Sequence, residues 1–248
     1  DTAKSWYDSF QFGIRKSSAS YQLRFYYTWS KSLDTVSSDG DAYVSPSDSF
    51  APEADKAPSD FDRKHVLNIA FNYAFPFGRD RDLDTQGSPW LNRLLGGWNL
   101  GMLYIRESGR RFSVFSGRET RYAGVGSLAA YDPDDGRPAG AEWINQGIVY
   151  WFNPDEADLF LHPSAGESGK IGRNFYSGPG YATLDAVLHK KFFWGESRHV
   201  QFRAEAFNLF NKTNFGLPVT TMDTDGFGTI RSTRGAPRAL QLGLLLGF

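Results

Sequence analysis

The sequence predicts an all-β chain: an antiparallel up-and-down meander of transmembrane β-strands, part of an outer-membrane barrel with long extracellular loops. Three observations predict it. Apolar and polar residues alternate with a period of two in segments of about ten residues, the length a tilted membrane strand needs. Aromatic residues crowd the segment ends, as interfacial girdles require. Short turns gather at one rim of the meander and long polar connections at the other.

The segments run in order along the chain. Residues 6–16 alternate weakly. In residues 21–30, Tyr21, Leu23, Phe25, Tyr27 and Trp29 oppose Gln22, Arg24, Tyr26, Thr28 and Ser30. In residues 65–75, Leu67, Ile69, Phe71, Tyr73 and Phe75 oppose Val66, Asn68, Ala70, Asn72 and Ala74. Residues 98–106 and 182–194 follow, the second with Leu184, Ala186, Leu188 and Phe192 facing away from Asp185, His189 and Lys191. Val200, Phe202, Ala204 and Ala206 then oppose Gln201, Arg203 and Glu205. Last, Leu240, Leu242, Leu244, Leu246 and Phe248 oppose Gln241, Gly243, Leu245 and Gly247. A soluble sandwich also alternates. Strand length, terminal aromatics (Trp6, Trp29, Phe75, Trp98, Trp194) and uneven connections together favour the membrane.

Residues 17–20 and 195–198 read as hairpin turns, whereas residues 31–64, 107–181 and 212–238 read as long loops. If Phe248 ends at the periplasm, the turns are periplasmic and the loops extracellular. The parity closes only if residues 111–116 are an extracellular excursion. Residues 76–97 fit poorly, being long yet periplasmic. Seven spanning strands result, and an unpaired edge in lipid is costly, so the chain is expected to be part of a larger sheet. Its start, Asp1-Thr2-Ala3-Lys4-Ser5-Trp6, lacks a signal segment, which fits the same expectation.

Composition excludes other classes. The 27 basic and 28 acidic residues nearly cancel, so nucleic acid is not an expected partner. Cysteine is absent, which removes disulfides and thiolate chemistry. No apolar run approaches the ~20 residues of a membrane helix. A mean hydropathy of -0.45 suits alternating strands.

Candidate sites are few. The alternation points Arg24, Asp185, His189, Lys191, Arg203 and Glu205 to a polar lumen. The loop aromatics Trp143, Tyr150, Trp151 and Phe152 could stack on a ligand or simply pack. Asp132, Asp134 and Asp135 have the carboxylate density of a calcium loop without its spacing, and an ordinary solvated turn is favoured over metal. His65, His162, His189 and His199 are scattered, and no GxSxG or phosphate-binding glycine loop occurs. No catalysis and no cofactor are expected.

Several motifs are familiar as an ordered set. Tyr7-Asp8-Ser9-Phe10-Gln11 and Tyr27-Thr28-Trp29-Ser30-Lys31-Ser32-Leu33-Asp34 come first, then Ser59-Asp60-Phe61-Asp62-Arg63-Lys64-His65. Pro76-Phe77-Gly78-Arg79, Leu95-Gly96-Gly97-Trp98, Trp151-Phe152-Asn153 and Gly172-Arg173-Asn174 follow. Phe202-Arg203-Ala204-Glu205-Ala206-Phe207-Asn208-Leu209-Phe210-Asn211, Asn214-Phe215-Gly216 and the terminal Phe248 close the set. The series resembles the C-terminal barrel region of Oar-like TonB-dependent receptors of Acidobacteria, which carry a carboxypeptidase-regulatory-like domain and a plug upstream. The resemblance implies that residues 1–248 are the C-terminal portion of a plugged barrel of about 22 strands. It implies import of a scarce small ligand, with TonB engaged through the plug, a part with no counterpart in this sequence. Leu240, Leu242, Leu244, Leu246 and Phe248 are similar to the outer-membrane assembly signal, so the barrel-assembly machinery is an expected partner beside outer-membrane lipid. Two other readings stay open: a small oligomeric outer-membrane pore or adhesin, and a secreted β-sandwich that binds carbohydrate.

Overall fold

The computed structural model describes residues 3–37, 51–77, 88–121, 126–193 and 198–248. The expected turn residues Gly195, Glu196 and Ser197, the girdle residue Trp194, and Gly78-Arg79 lie outside them. Seven long strands form where the alternation runs: β1 (Ser5–Ser17), β2 (Tyr21–Asp34), β3 (His65–Ala74), β4 (Trp98–Glu107), β5 (Tyr181–Phe193), β6 (His199–Phe207) and β7 (Ala239–Gly247). Each pairs antiparallel with its neighbours in chain order, a pure meander. A two-residue strand, Ala57–Pro58, adds to the end of β2. β1 and β7 are not paired with each other, so the sheet is open. Arg111–Phe112 pairs with Tyr176–Ser177 off the main sheet, the excursion that strand parity requires.

Register carries the main result. Residues directly opposite in neighbouring strands share a face, so pairing can be followed across all seven. Ile14 pairs with Phe25, Phe25 with Ile69, Ile69 with Tyr104, and Tyr104 with Leu184. Leu188 pairs with Ala204, and Ala204 with Leu242. The apolar sets of seven separate segments therefore fall on one face of one sheet. A slip of one residue at any pair would have put half of them on the other side. No second sheet covers that face among the described residues, and most of it is exposed. Phe10 is 59% exposed, Trp29 51%, and Leu240, Leu242 and Leu244 more than 70%. A sandwich would bury these side chains against a second sheet; an apolar surface of this extent is matched to lipid.

The hydrophobic core sits elsewhere. Phe112, Val114, Ala129, Phe152, Phe160, Ile171 and Tyr176 form one buried cluster, with Tyr131, Trp151, Leu217, Met222 and Phe227 packed around it. All belong to the connections after β4 and β6. The opposite rim holds the tight turn between β1 and β2. It also holds a seven-residue helix, α1 (Pro89–Leu95), in the connection that fitted the strand parity poorly.

Candidate functional site

Two surfaces can act: the polar face of the sheet and the cap formed by the long loops. By register Arg24, Asp185, His189, Lys191, Arg203 and Glu205 all lie on the face opposite the apolar one. Five of them cluster on β5 and β6. His189 stands directly opposite Arg203, Lys191 opposite Gln201, and Arg203 and Glu205 form an ion pair of 2.5 Å. Asp185 is half-buried at the loop end and accepts the Asn208 N–H at 2.8 Å. Arg24 is not brought to them. It shares a row with Asp185 through Ala70 and Leu103, three strands away, or about 14 Å at the usual strand spacing.

The cap is three loops made into one body. Arg173 is the main tie. Its guanidinium donates to the carboxylate and carbonyl of Asp34, to Asp55 O at 3.1 Å and to Ser37 Oγ at 3.1 Å, and Asp60 lies at 3.7 Å. Asn174 donates to Pro58 O at 2.8 Å and to Asp60 Oδ1, holding a left-handed backbone with φ of 52°. Asp62, almost fully buried, accepts the Ser32 N–H at 2.9 Å and an Arg111 N–H at 3.3 Å. Glu107 bridges Arg234 at 2.5 Å and Arg63 at 3.7 Å. Burial, and then the nearby Arg234, pull the Arg63 guanidinium below its ordinary range.

The asparagines of residues 208–214 brace the far side of the cap. Asn214 accepts the Ala182 N–H at 2.8 Å and donates to Ala182 O at 3.0 Å, extending the edge of β5 with a side chain. Asn208 accepts the Lys212 N–H at 3.0 Å and donates to Ala236 O at 3.2 Å. None of these braces was legible as a function, although each lies in a motif of the sequence. Buried Arg, Asp and Asn in otherwise polar loops were the available signal.

The four candidate ligand aromatics separate. Phe152 is 2% exposed, with ring centroids of Phe160 and Tyr176 at 4.9 and 5.0 Å, so it is core and offers no free face to a ligand. Trp151 packs against this cluster and donates its indole N–H to Ser177 O at 3.1 Å. Trp143 and Tyr150 pair on a small hairpin, Trp143–Asn145 with Ile148–Tyr150. Its two-residue turn, Gln146-Gly147, has φ of 51° and 81°, the left-handed pair that a tight hairpin needs. Trp143 is 44% exposed there. Asp132, Asp134 and Asp135 form an ordinary turn, in which Asp132 Oδ1 accepts the Asp134 N–H at 2.9 Å. No group of three potential metal ligands occurs among the described residues.

A cavity of about 600 Å³ opens between cap and sheet, lined among others by Tyr27, His65, Leu67, Arg106, Trp151 and Lys212. Of its strand residues, Tyr27, His65, Leu67 and Arg106 lie on the apolar face by register, whereas Glu107 and Tyr181 at the strand ends belong to the opposite row. Trp151 borders this cavity.

A largely exposed apolar face, an opposed polar face and a cap of long loops at one end are the anatomy of a membrane barrel wall. A family model described as an outer membrane beta barrel domain matches residues 1–241. The chain belongs to that family. No curated protein and no solved structure matches it. An outer membrane beta barrel domain resides in the bacterial outer membrane, with the apolar face toward lipid. The β1–β2 turn and α1 are then periplasmic and the cap extracellular.

Proposed function

We propose that this outer-membrane barrel domain is a sector of a TonB-dependent receptor, which captures a scarce small ligand outside the cell and imports it. Energy would come from TonB through a plug domain encoded with the barrel. The observation that carries this reading is the cap. Two of the three long loops share one hydrophobic core, and Arg173, Asp62, Asn208 and Asn214 tie all three together and to the strands. A pore needs only open loops; a receptor needs a surface of fixed shape, because preorganisation lowers the cost of capture.

In this reading Trp143 and Tyr150 present the aromatic contacts of the cap. Asp185, His189, Lys191, Arg203, Glu205 and Arg24 line the lumen wall that plug and ligand pass. Leu240, Leu242, Leu244, Leu246 and Phe248 are the strand the barrel-assembly machinery reads. The chain acts by binding and gating, without a catalytic step. The open edges of β1 and β7 are met by further strands of the same barrel, since unsatisfied N–H and C=O groups in lipid cost several kcal/mol each.

A second reading, a small pore closed by several copies, also satisfies the open edges. Planar-bilayer recording of the intact protein separates the two. A plugged receptor carries no steady ionic current until urea unfolds the plug. Steady conductance without denaturant would sink the receptor reading and support the pore.

A further inference from the structure

The connection between β3 and β4 is too long for a periplasmic turn, and it carries a helix. Where that helix sits is decided by two side chains. Trp98 donates its indole N–H to Leu94 O at 3.0 Å, and the Lys190 ammonium donates to the same carbonyl. Trp98 and Lys190 are opposite one another in the β4–β5 register and belong to the apolar face. The C-terminal turn of α1 therefore lies over the lipid-facing side of the rim, outside the barrel. Gly97 permits the return into β4. Its φ is 76°, and a Cβ there would stand 2.6 Å from Lys191 O.

Lys190 is otherwise hard to explain. A charge on a lipid-facing strand position is costly at the midplane and nearly free at the interface. Lys190 is 3% exposed, with its ammonium 4.7 Å from the Trp98 ring centroid and 4.9 Å from that of Phe192. Its ammonium thus meets the Leu94 carbonyl near the C-terminus of α1, where a cation complements the helix dipole. Part of the helix surface is exposed. Trp90 is 64% and Leu94 58% exposed, four residues apart on one stripe, and Arg93 beside them is also exposed. A Trp and a Leu flanked by a cation, on a helix held at the rim that also carries Tyr73, Phe75 and Phe192, are the chemistry of an interfacial helix.

We propose that α1 is a membrane foot. It lies in the phospholipid headgroup region of the periplasmic leaflet, with Trp90 and Leu94 dipping toward the acyl chains and Arg93 meeting lipid phosphate. Lys190 positions the foot by clamping its C-terminal carbonyl. The foot pins the β4–β5 rim at a fixed depth. The inference holds for a pore as well as for a receptor.

The 248 residues contain no cysteine, so a thiol placed at the helix can be labelled selectively among them. Trp90→Cys and Leu94→Cys variants of the intact protein, labelled with bimane, are reconstituted in phosphatidylethanolamine–phosphatidylglycerol bilayers. Folding is checked by heat-modifiable gel mobility, and Arg93→Cys serves if either variant fails to fold. Phe71→Cys is the lipid-facing reference and Asp134→Cys the aqueous one. The expected result is a blue-shifted emission that brominated lipid quenches more strongly than iodide does, as at Phe71→Cys. Labels quenched by iodide and untouched by brominated lipid, as at Asp134→Cys, would overturn the proposal.

Discussion

Arg173 reaches partners up to 139 residues away in sequence, so its part in the fold could not be read from its own neighbourhood. Gly172-Arg173-Asn174 stood out only as one of an ordered series of motifs. Arg173→Met leaves Asp34, which is 3% exposed, without its cation, and breaking a buried ion pair costs about 3–5 kcal/mol. The loss should stay in the cap. Amide exchange should speed up in residues 51–64 and 108–177 while β1 to β7 stay protected. Asn214→Ala removes two hydrogen bonds to Ala182 and leaves that peptide unsatisfied, a cost of about 1–3 kcal/mol, read as faster exchange at the loop end of β5. Tyr176 gives a pH dependence. Burial raises its phenol from 10.0 to about 12, so the folded cap holds the proton more tightly than the unfolded one. Its contribution is complete below pH 10.0 and falls away as pH rises toward about 12. Near-UV circular dichroism of the cap aromatics should fade in that window before the strand signal does.

Strands were the legible elements, because a period of two over ten residues survives without tertiary information. Each of the seven formed where its alternation runs, although β2 continues to Asp34 to meet Ala57–Pro58. The helix was not legible. Seven residues opened by Ser88-Pro89 give too little periodicity to read, and only the pairing of Lys190 with Trp98 shows where they lie. The candidate site divides the same way. The polar strand residues fell on one face as alternation demands, whereas Phe152 went into the core because nothing local distinguishes a packed aromatic from a presented one. The strand faces make a direct prediction. Arg in place of Phe25, Ile69 or Leu244 should hinder assembly at about 2–4 kcal/mol near the midplane, and Gln201→Arg on the polar face should be tolerated. Folded yield in bilayers, scored by heat-modifiable mobility, checks all four, and normal folding of the first three would remove the lipid-facing assignment.

At the scale of the molecule, the open path from β1 to β7 and the continuity of both faces are one observation. A sheet with one apolar and one polar side, and with the only sizeable core among the described residues in the loops at one end, is a wall and not a package. In the intact barrel a Phe10→Cys/Leu244→Cys pair should not crosslink under oxidation, because β1 and β7 each meet a different strand; a disulfide between them would mean a small closed barrel. The account rests on which side of the wall faces lipid. A nitroxide scan through residues 66–74 of β3 tests this most directly, comparing collision with oxygen, which partitions into lipid, and with an aqueous nickel chelate. The prediction is a period of two, with oxygen favoured at Leu67, Ile69, Phe71 and Tyr73 and the chelate at Val66, Asn68, Ala70, Asn72 and Ala74. An inverted phase, or accessibility without a period of two, would contradict it.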